Sequence, residues 1–274
     1  MTYEEQMRGI HTLELKIALE IKRICEKHGI RYFLTAGTLL GAVRHGGFIP
    51  WDDDMDIGML RSDYERFLDV CKTELGEEFF LQTWDTDDNY PFSYAKVRLR
   101  GTHFVEGFSE DVNLKENGLF VDVSPFDCVP DNEISGKVQA AKYYLCKRLL
   151  WIKKGMGKTL KSESFGKRLK YGIFLTFSCL FNYESVKRYF KKTQIRYNGK
   201  ETRKVVADGS YRFQKESIEA AWVKDLSDIV FETQVFPAFR DRQSYLEHFY
   251  GDYMKLPPVE ERERHLTREF RFIR

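Results

Sequence analysis

Residues 37–41 read Gly-Thr-Leu-Leu-Gly and residues 51–58 read Trp-Asp-Asp-Asp-Met-Asp-Ile-Gly, so four carboxylates lie within five residues behind a glycine turn. Like charges held this close repel each other unless a cation or an exposed loop relieves them. Asp54 and Asp56 have the two-residue spacing that puts both side chains on one face of a strand. Two carboxylates on one face suit magnesium, which leaves its other positions to water and substrate phosphates.

The context of the acidic run bears on its meaning, because acidic runs in loops are usually solvated surface. A short strand is predicted from Arg31 to Ala36, and Thr38 is predicted to cap a helix that runs through Arg44. Backbone N–H groups at the start of a helix can receive a phosphate. The two stretches together therefore predict a phosphate-and-metal centre.

The composition is that of a globular protein with a large core. The chain has 274 residues, of which 42% are hydrophobic and 31% charged, and 15% are aromatic. The polar N-terminus has no signal-peptide pattern and no run is long and apolar enough to span a membrane, so we expect a cytoplasmic protein. Five scattered cysteines form no CxxC pair and predict buried, reduced thiols rather than a zinc site.

Charge is distributed unevenly, although the net charge is only +2. Residues 137–204 contain 14 Lys and 5 Arg against 3 Glu, a local charge of +16. We interpret this segment as a basic, aromatic-rich helical insertion between a catalytic core (1–136) and a C-terminal part that completes it (205–274). The segment is compatible with a solvated helical face, with docking on an anionic membrane, and less well with nucleic-acid binding, for which no motif is present.

Hydrophobic periodicity predicts several further elements. They are an amphipathic helix over residues 4–28, a helix over 62–73, strands at 79–83, 94–99 and 119–123, and a helix over 241–250. The strand at 119–123 contains a single acid, Asp122, in an otherwise apolar run. Such an acid is costly to bury without a partner. Asp122 could complete a three-carboxylate cluster with Asp54 and Asp56 if the two strands are neighbours, or it could be a structural residue at a strand end.

One face of the strand at 94–99 carries two cations. Lys96 and Arg98 alternate with Ala95, Val97 and Leu99, so their side chains share a face. They are candidates for phosphate binding, and a solvated pair at the edge of the sheet is the alternative.

Four blocks of sequence closely resemble the LicD family of phosphocholine transferases, which is related to fukutin and fukutin-related protein. The blocks occur in the same order as in the family and are residues 35–56, residues 95–98 with Thr102, residues 118–127 and residues 250–258. Only the basic segment carries little of this signature.

The resemblance implies an α/β fold with a nucleotidyltransferase-like mixed sheet, flanking helices and a basic helical insertion. It also implies transfer of a phospho-alcohol from a CDP-activated donor to a sugar hydroxyl. By similarity, Gly37 and Thr38 stand at the phosphate-binding turn, and Asp54 and Asp56 at the metal-binding acids. Asp122 matches the acid of the later strand, and Asp52 matches a further recurrent acid.

A mechanism of positioning and electrostatic stabilisation is expected, because negative charge builds on the leaving nucleotide. Asp54, Asp56 and Asp122 are the predicted catalytic and metal-binding residues for one or two Mg²⁺ ions, with Mn²⁺ as the alternative ion, and Asp122 is the leading base. Arg44 joins Lys96, Arg98, Gly37 and Thr38 as a candidate for binding donor phosphate. The additional candidates are Asp52, the aromatic residues Trp51 and Tyr253 for a quaternary ammonium, and His265 for phosphate.

The expected partners are CDP-choline or another CDP-alcohol, a glycan acceptor of the teichoic acid or lipopolysaccharide type that could be lipid-linked, and an anionic membrane surface at the inner face of the cell membrane. No nucleic-acid partner is expected. Two other functions stay open. One is nucleotidyl transfer to a small molecule, and the other is a membrane-docked binding protein without catalysis.

Overall fold

The computed structural model describes residues 2–106, 112–156, 165–262 and 267–272. The α-helices within these ranges are α1 (Tyr3–His28), α2 (Ala36–His45), α3 (Arg61–Glu74), α4 (Glu133–Lys153), α5 (Phe165–Ser178), α6 (Tyr183–Gln194), α7 (Phe213–Glu216), α8 (Ala220–Lys224) and α9 (Arg242–Tyr250). The strands are β1 (Phe33–Leu34), β2 (Asp56–Leu60), β3 (Phe79–Gln82), β4 (Ala95–Leu99), β5 (Thr102–Glu106), β6 (Phe120–Val129), β7 (Lys204–Val206), β8 (Ser217–Glu219), β9 (Leu226–Phe231), β10 (Gln234–Phe239) and β11 (Thr267–Phe272).

A mixed sheet forms the centre of the molecule, as expected for an α/β nucleotidyltransferase-like fold. Its main path runs β1-β2-β6-β4-β3, and β7 pairs with the far end of β6 and with β8. Strands β2 and β6 are parallel, and the other pairs in this sheet are antiparallel. Two small antiparallel pairs, β9 with β10 and β5 with β11, lie outside it. The long strand β6 therefore links the candidate acids at its start to the basic segment that follows its end.

Helix α1 has clear signals at both ends. Thr2 and Glu5 form a reciprocal capping box, and Gly29 ends the helix in the left-handed conformation with φ 60°. The buried side of the helix includes Ile17, Ile21 and Ile24. These residues belong to the main hydrophobic core, together with buried residues of α2 and β2. The predicted boundaries of this helix are confirmed.

The basic segment folds as helices α4, α5 and α6, between the end of β6 and β7. Tyr143, Leu150 and Phe190 belong to a second hydrophobic cluster that includes Val129 at the end of β6. Some apolar residues of the segment thus build this cluster, and others are exposed to solvent. No helix in the described ranges is both long enough and apolar enough to cross a membrane.

Several predicted boundaries differ from the structure. Strand β1 contains only Phe33 and Leu34, because its pairing with β2 covers just two positions. Strand β6 extends to Val129, well beyond the predicted end at Val123, because β7 pairs with its distal part. Cys25, Cys71 and Cys146 are buried as predicted, whereas Cys179 is exposed and Cys128 is half-buried.

Candidate active site

The parallel pairing of β2 and β6 brings two of the predicted acids together. Asp56 is the first residue of β2 and lies directly opposite Asp122 on β6. Residues opposite each other in neighbouring strands project from the same face of a sheet. The requirement that the two strands be neighbours is therefore met, and the sheet itself holds both carboxylates side by side.

Asp54 lies just before β2 and joins the same group. Burial, followed by the charges of Asp52, Asp56 and Asp122, raises the pKa of Asp54 well above its usual range. This direction is the one expected when carboxylates share a poorly solvated site without a compensating cation. A cation bound among these carboxylates would lower the pKa of Asp54.

A further buried carboxyl, Glu14 of α1, was not predicted from the sequence. Its side chain is fully buried, and neither carboxyl oxygen has a hydrogen-bond partner among the described residues. Burial, followed by the charges of Asp53, Asp52, Asp122 and Asp56, raises its pKa well above the ordinary value. The available signal was its position, because Glu14 lies four residues after Ile10 and three before Ile17, on the apolar side of the helix.

Asp53 is also buried, with 4% of its surface exposed. Its charge acts on Glu14, whereas the charges of Asp52, Asp56 and Asp122 act on Asp54. The sequence alone gave Asp53 no role. The structure places the whole acidic run at the edge of the core, where the charges of the carboxylates raise the pKa values of Asp54 and Glu14.

Lys96 pairs with Asp122 on the side away from Asp56. The two residues are opposite each other in the antiparallel β4–β6 pair, and Lys96 Nζ lies 2.9 Å from Asp122 Oδ1. Lys96 is fully buried, and its ammonium lies 3.2 Å from the centroid of the Phe120 ring. The row Asp56, Asp122 and Lys96 therefore crosses three neighbouring strands and ends in a buried cation.

Arg98 is buried two residues further along the same face of β4. Its Nε donates to Gln82 Oε1 at 2.5 Å, and its Nη1 donates to the carbonyl oxygen of Gly118 at 2.6 Å. Only 2% of its surface is exposed. These bonds tie β3 and β4 to the chain just before β6, and the solvated edge pair considered for Lys96 and Arg98 does not occur.

The first turn of α2 is built differently from the prediction. The residue at the N-cap position is Thr35, and Thr38 lies inside the helix, where its Oγ1 accepts the backbone N–H of Asp56 at 2.8 Å. The prediction that Thr38 caps the helix is therefore wrong. Its hydroxyl instead fixes the start of β2, because that strand needs a partner for its first N–H group.

A distant tyrosine holds the start of α2. The hydroxyl of Tyr245, in α9, accepts the backbone N–H of Ala36 at 3.0 Å and lies 2.8 Å from Thr35 Oγ1. Ala36 has φ 48°, a left-handed conformation that is unusual for a residue other than glycine and costs free energy. Such strain often marks functional sites, and neither Tyr245 nor Ala36 was predicted from the sequence.

Gly37 allows Asp52 to approach the first turn of α2. A Cβ atom at position 37 would lie 2.8 Å from Asp52 Oδ2, closer than unbonded atoms normally come. The backbone of Asp52 is held as well, because its carbonyl oxygen lies 2.7 Å from His11 Nε2. The helix start and the acidic run are therefore in direct contact.

Cations and aromatic rings from the end of α2 and the C-terminal region lie near the acids. Arg44 Nη1 donates to the carbonyl oxygen of Tyr253 at 3.0 Å, and the Arg262 guanidinium lies 4.4 Å from the Trp51 ring centroid. Burial lowers the pKa of Arg44, as does the charge of Arg262. The Trp51 ring thus already faces a cation. His265 lies outside the described residues.

The carboxylate oxygens of Asp54, Asp56 and Asp122 are of the type that hard divalent cations prefer. Among the described residues, no three His, Cys, Asp or Glu side chains form a ready ligand set.

Comparison with known proteins gives matches over the same region and over the full length. The model of the family "LicD/FKTN/FKRP, nucleotidyltransferase domain" matches residues 29–146. The lipopolysaccharide cholinephosphotransferase LicD of Haemophilus influenzae is 30% identical over 271 residues, which cover 97% of this chain and 96% of the relative. The human ribitol 5-phosphate transferase FKRP is 35% identical over 103 residues, which cover 38% of this chain and 18% of the relative. On this full-length similarity, the chain belongs to the LicD family.

Proposed function

We propose that this protein transfers a phospho-alcohol from a CDP-alcohol to a hydroxyl of a cell-envelope glycan and releases CMP. Phosphocholine from CDP-choline is the favoured group, because the relative that matches over nearly its whole length is named a lipopolysaccharide cholinephosphotransferase. The observation that carries the proposal is the crowding of Asp52, Asp54, Asp56 and Asp122 beside the first turn of α2. Carboxylates in this number suit a site that receives a cation together with phosphates.

The proposed reaction forms one bond and breaks one. The acceptor oxygen bonds to the phosphorus that carries the alcohol, the bond from that phosphorus to the CMP oxygen breaks, and the hydroxyl proton passes to a base. We assign the proton to Asp122, whose side chain is 13% exposed beside Asp56. Lys96 then orients the Asp122 carboxylate through Oδ1.

Asp54 and Asp56, with Asp122, would hold one or two magnesium ions together with donor phosphates and water, because the carboxylates among the described residues do not form a ready ligand set by themselves. Magnesium supplies charge neutralisation for the phosphates of the donor. The N–H groups of the first turn of α2 can receive phosphate oxygens, and Arg44 lies at the other end of that helix. The aromatic rings of Trp51 and Tyr253 are candidates for the quaternary ammonium of choline, which cannot donate a hydrogen bond, although at Trp51 it would compete with the Arg262 guanidinium.

CMP release tests the proposal directly. The protein is incubated with magnesium, a lipopolysaccharide or teichoic acid acceptor, and CDP-choline or CDP-ribitol in separate reactions. We expect CMP and labelled acceptor with CDP-choline, and none with EDTA. If CMP is released from CDP-ribitol but not from CDP-choline, the proposed type of reaction holds and the transferred alcohol is ribitol. If no CDP-alcohol releases CMP, the proposal is refuted.

A matched pair of variants separates the role of individual carboxylates from that of local charge. Asp54→Asn should lower turnover at least ~100-fold, because it removes a proposed ligand. Asp53→Asn removes the same charge one residue away, from the side of the run nearest Glu14. It should retain activity within about tenfold, and equal losses for the two variants would contradict the assignment of Asp54.

A further inference from the structure

Helix α5 presents large apolar side chains to solvent. Leu169, Ile173 and Phe177 are four residues apart in α5, a spacing that keeps them on one side of the helix, and Leu180 follows in the turn just after it. Their exposed fractions are 58%, 61%, 38% and 73%. Phe174 packs instead against the second hydrophobic cluster, so that side of the helix is the one that faces the protein.

Phe181 extends this apolar surface. It is 41% exposed, and its ring centroid lies 5.1 Å from that of Phe177. We call the surface formed by Leu169, Ile173, Phe177, Leu180 and Phe181 the α5 face. An exposed group of five large apolar residues is unusual for a soluble monomer and typically marks a contact with a membrane or another protein.

The charge around the α5 face selects between these two partners. The face lies within residues 137–204, whose net charge is +16. Helix α6, which follows at once, carries exposed cations at Arg188 and Lys192, one helical turn apart. A second copy of this chain would bring an equal positive charge to the contact, and like charges disfavour such pairing. An anionic surface is attracted instead.

Helix α6 of the basic segment is also hydrogen-bonded to the loop that leads into β4. Tyr183 Oη donates to the carbonyl oxygen of Tyr90 at 3.0 Å, and Gln194 Nε2 donates to Ser93 Oγ at 3.0 Å. Ser93 lies three residues before Lys96, the partner of Asp122. A surface bound by the α5 face would therefore be held in a defined position relative to the proposed active site.

We propose that the α5 face inserts into the headgroup region of a lipid bilayer that contains anionic lipids. Large apolar residues on one side of a helix, combined with Lys and Arg in the same segment, are typical of helices that lie in the membrane interface. Each Lys or Arg near an anionic surface strengthens binding in a way that salt weakens, and the apolar residues add a contribution that salt does not screen. This proposal does not depend on the identity of the reaction.

Vesicle flotation tests the proposal with the full chain. Wild-type protein is mixed with vesicles of phosphatidylcholine, with or without phosphatidylglycerol, at low and high salt. We expect binding to the anionic vesicles and at least ~10-fold weaker binding to phosphatidylcholine alone or at high salt. Equal binding to both kinds of vesicle, or binding to neither, would overturn the proposal.

Variants then locate the contact. The combination Leu169→Ser, Ile173→Ser, Phe177→Ser and Leu180→Ser should weaken binding about tenfold or more. The control Val230→Ser with Val235→Ser removes another exposed apolar pair, from the β9–β10 hairpin, and should bind like wild type. Circular dichroism melting checks that both variants fold.

Two outcomes would overturn the assignment of this surface to lipid. One is unchanged vesicle binding by the α5 variant in its folded form. The other is sedimentation that shows the wild type as a dimer and the α5 variant as a monomer, because a second copy would then cover the face.

Discussion

Glu14 illustrates how a single buried residue can report on a ligand. A carboxyl group without a hydrogen-bond partner among the described residues is costly to bury, and more so near other carboxylates. Natural proteins keep such residues where a ligand or ion restores the balance. We therefore expect the energetics of Glu14 to change when the acidic site receives a cation.

The direction in which pH changes the contribution of Glu14 to the free energy of unfolding follows from its pKa values in the folded and unfolded states. Burial raises the pKa of Glu14 in the folded state above the value of about 4.3 that it has in an unfolded chain. Between these two values the folded state binds more protons than the unfolded state, so the free energy of unfolding falls as pH rises. The loss begins above the unfolded pKa and is complete above the folded pKa.

Glu14→Gln should therefore stabilise the metal-free protein, most of all at pH 8. Urea unfolding at pH 6 and pH 8 measures this, and we expect the variant to lose less stability between the two values than wild type. Glu26→Gln on the same helix is the control, since the Glu26 side chain is 61% exposed and should have little effect. A wild type that is equally stable at both pH values, with no gain in Glu14→Gln, would contradict the prediction.

At the scale of elements, the junction of α2 with the following loop depends on close backbone contact. A Cβ atom at Gly41 would overlap the carbonyl oxygen of Gly47 and come within 3.2 Å of the backbone N of Ile49. Both atoms belong to the chain that leads into the acidic run. Gly41 thus fixes the distance between the helix and the carboxylates.

Gly41→Ala should destabilise the protein by about 1–3 kcal/mol, because the loop must move to admit the methyl group. Gly9→Ala is the matched control, since Gly9 lies in α1 with no atom within 4 Å of the added Cβ. That variant should gain up to about 1 kcal/mol from helix propensity. Denaturant midpoints measure both, and a neutral Gly41→Ala would show that the contact is not required.

The β4–β6 pair supplies a second prediction at this scale. Lys96→Met removes the buried partner of Asp122 and should cost about 3 kcal/mol, because it leaves a half-buried carboxylate without its counter-charge. The double variant Lys96→Met with Asp122→Asn should recover much of that loss. A double variant less stable than Lys96→Met alone would show that the pair does not govern stability.

Local pattern predicted much of this arrangement. The acidic run, the strand containing Asp122, and helices α1 and α9 follow from spacing and caps. The sequence could not show that Lys96 would be the partner of Asp122, because register across β4 and β6 is a tertiary property. Tyr245 was missed for the same reason, since the helix start that it holds lies 209 residues earlier.

At the scale of the whole molecule, the charge distribution separates two kinds of surface. The acidic run gathers beside α2, whereas residues 137–204 carry a charge of +16. A nucleotide donor is itself an anion, so the acidic site repels it unless a cation lies between them. The donor and the metal should therefore bind with positive coupling.

Thermal unfolding with each ligand measures this coupling. Magnesium alone and CDP-choline alone should each raise the Tm slightly. Magnesium alone lacks the donor phosphates, and CDP-choline alone lacks the cation that would offset the charge of the acids. Together they should raise it by more than the sum of the two shifts, because each increases the affinity for the other by the same factor. Asp54→Asn should lose the excess shift while keeping its fold, because it removes a carboxylate that we propose as a ligand of the metal. An equal CDP-choline shift with magnesium and with EDTA would contradict the coupling, since the donor would then bind the acidic site without a cation.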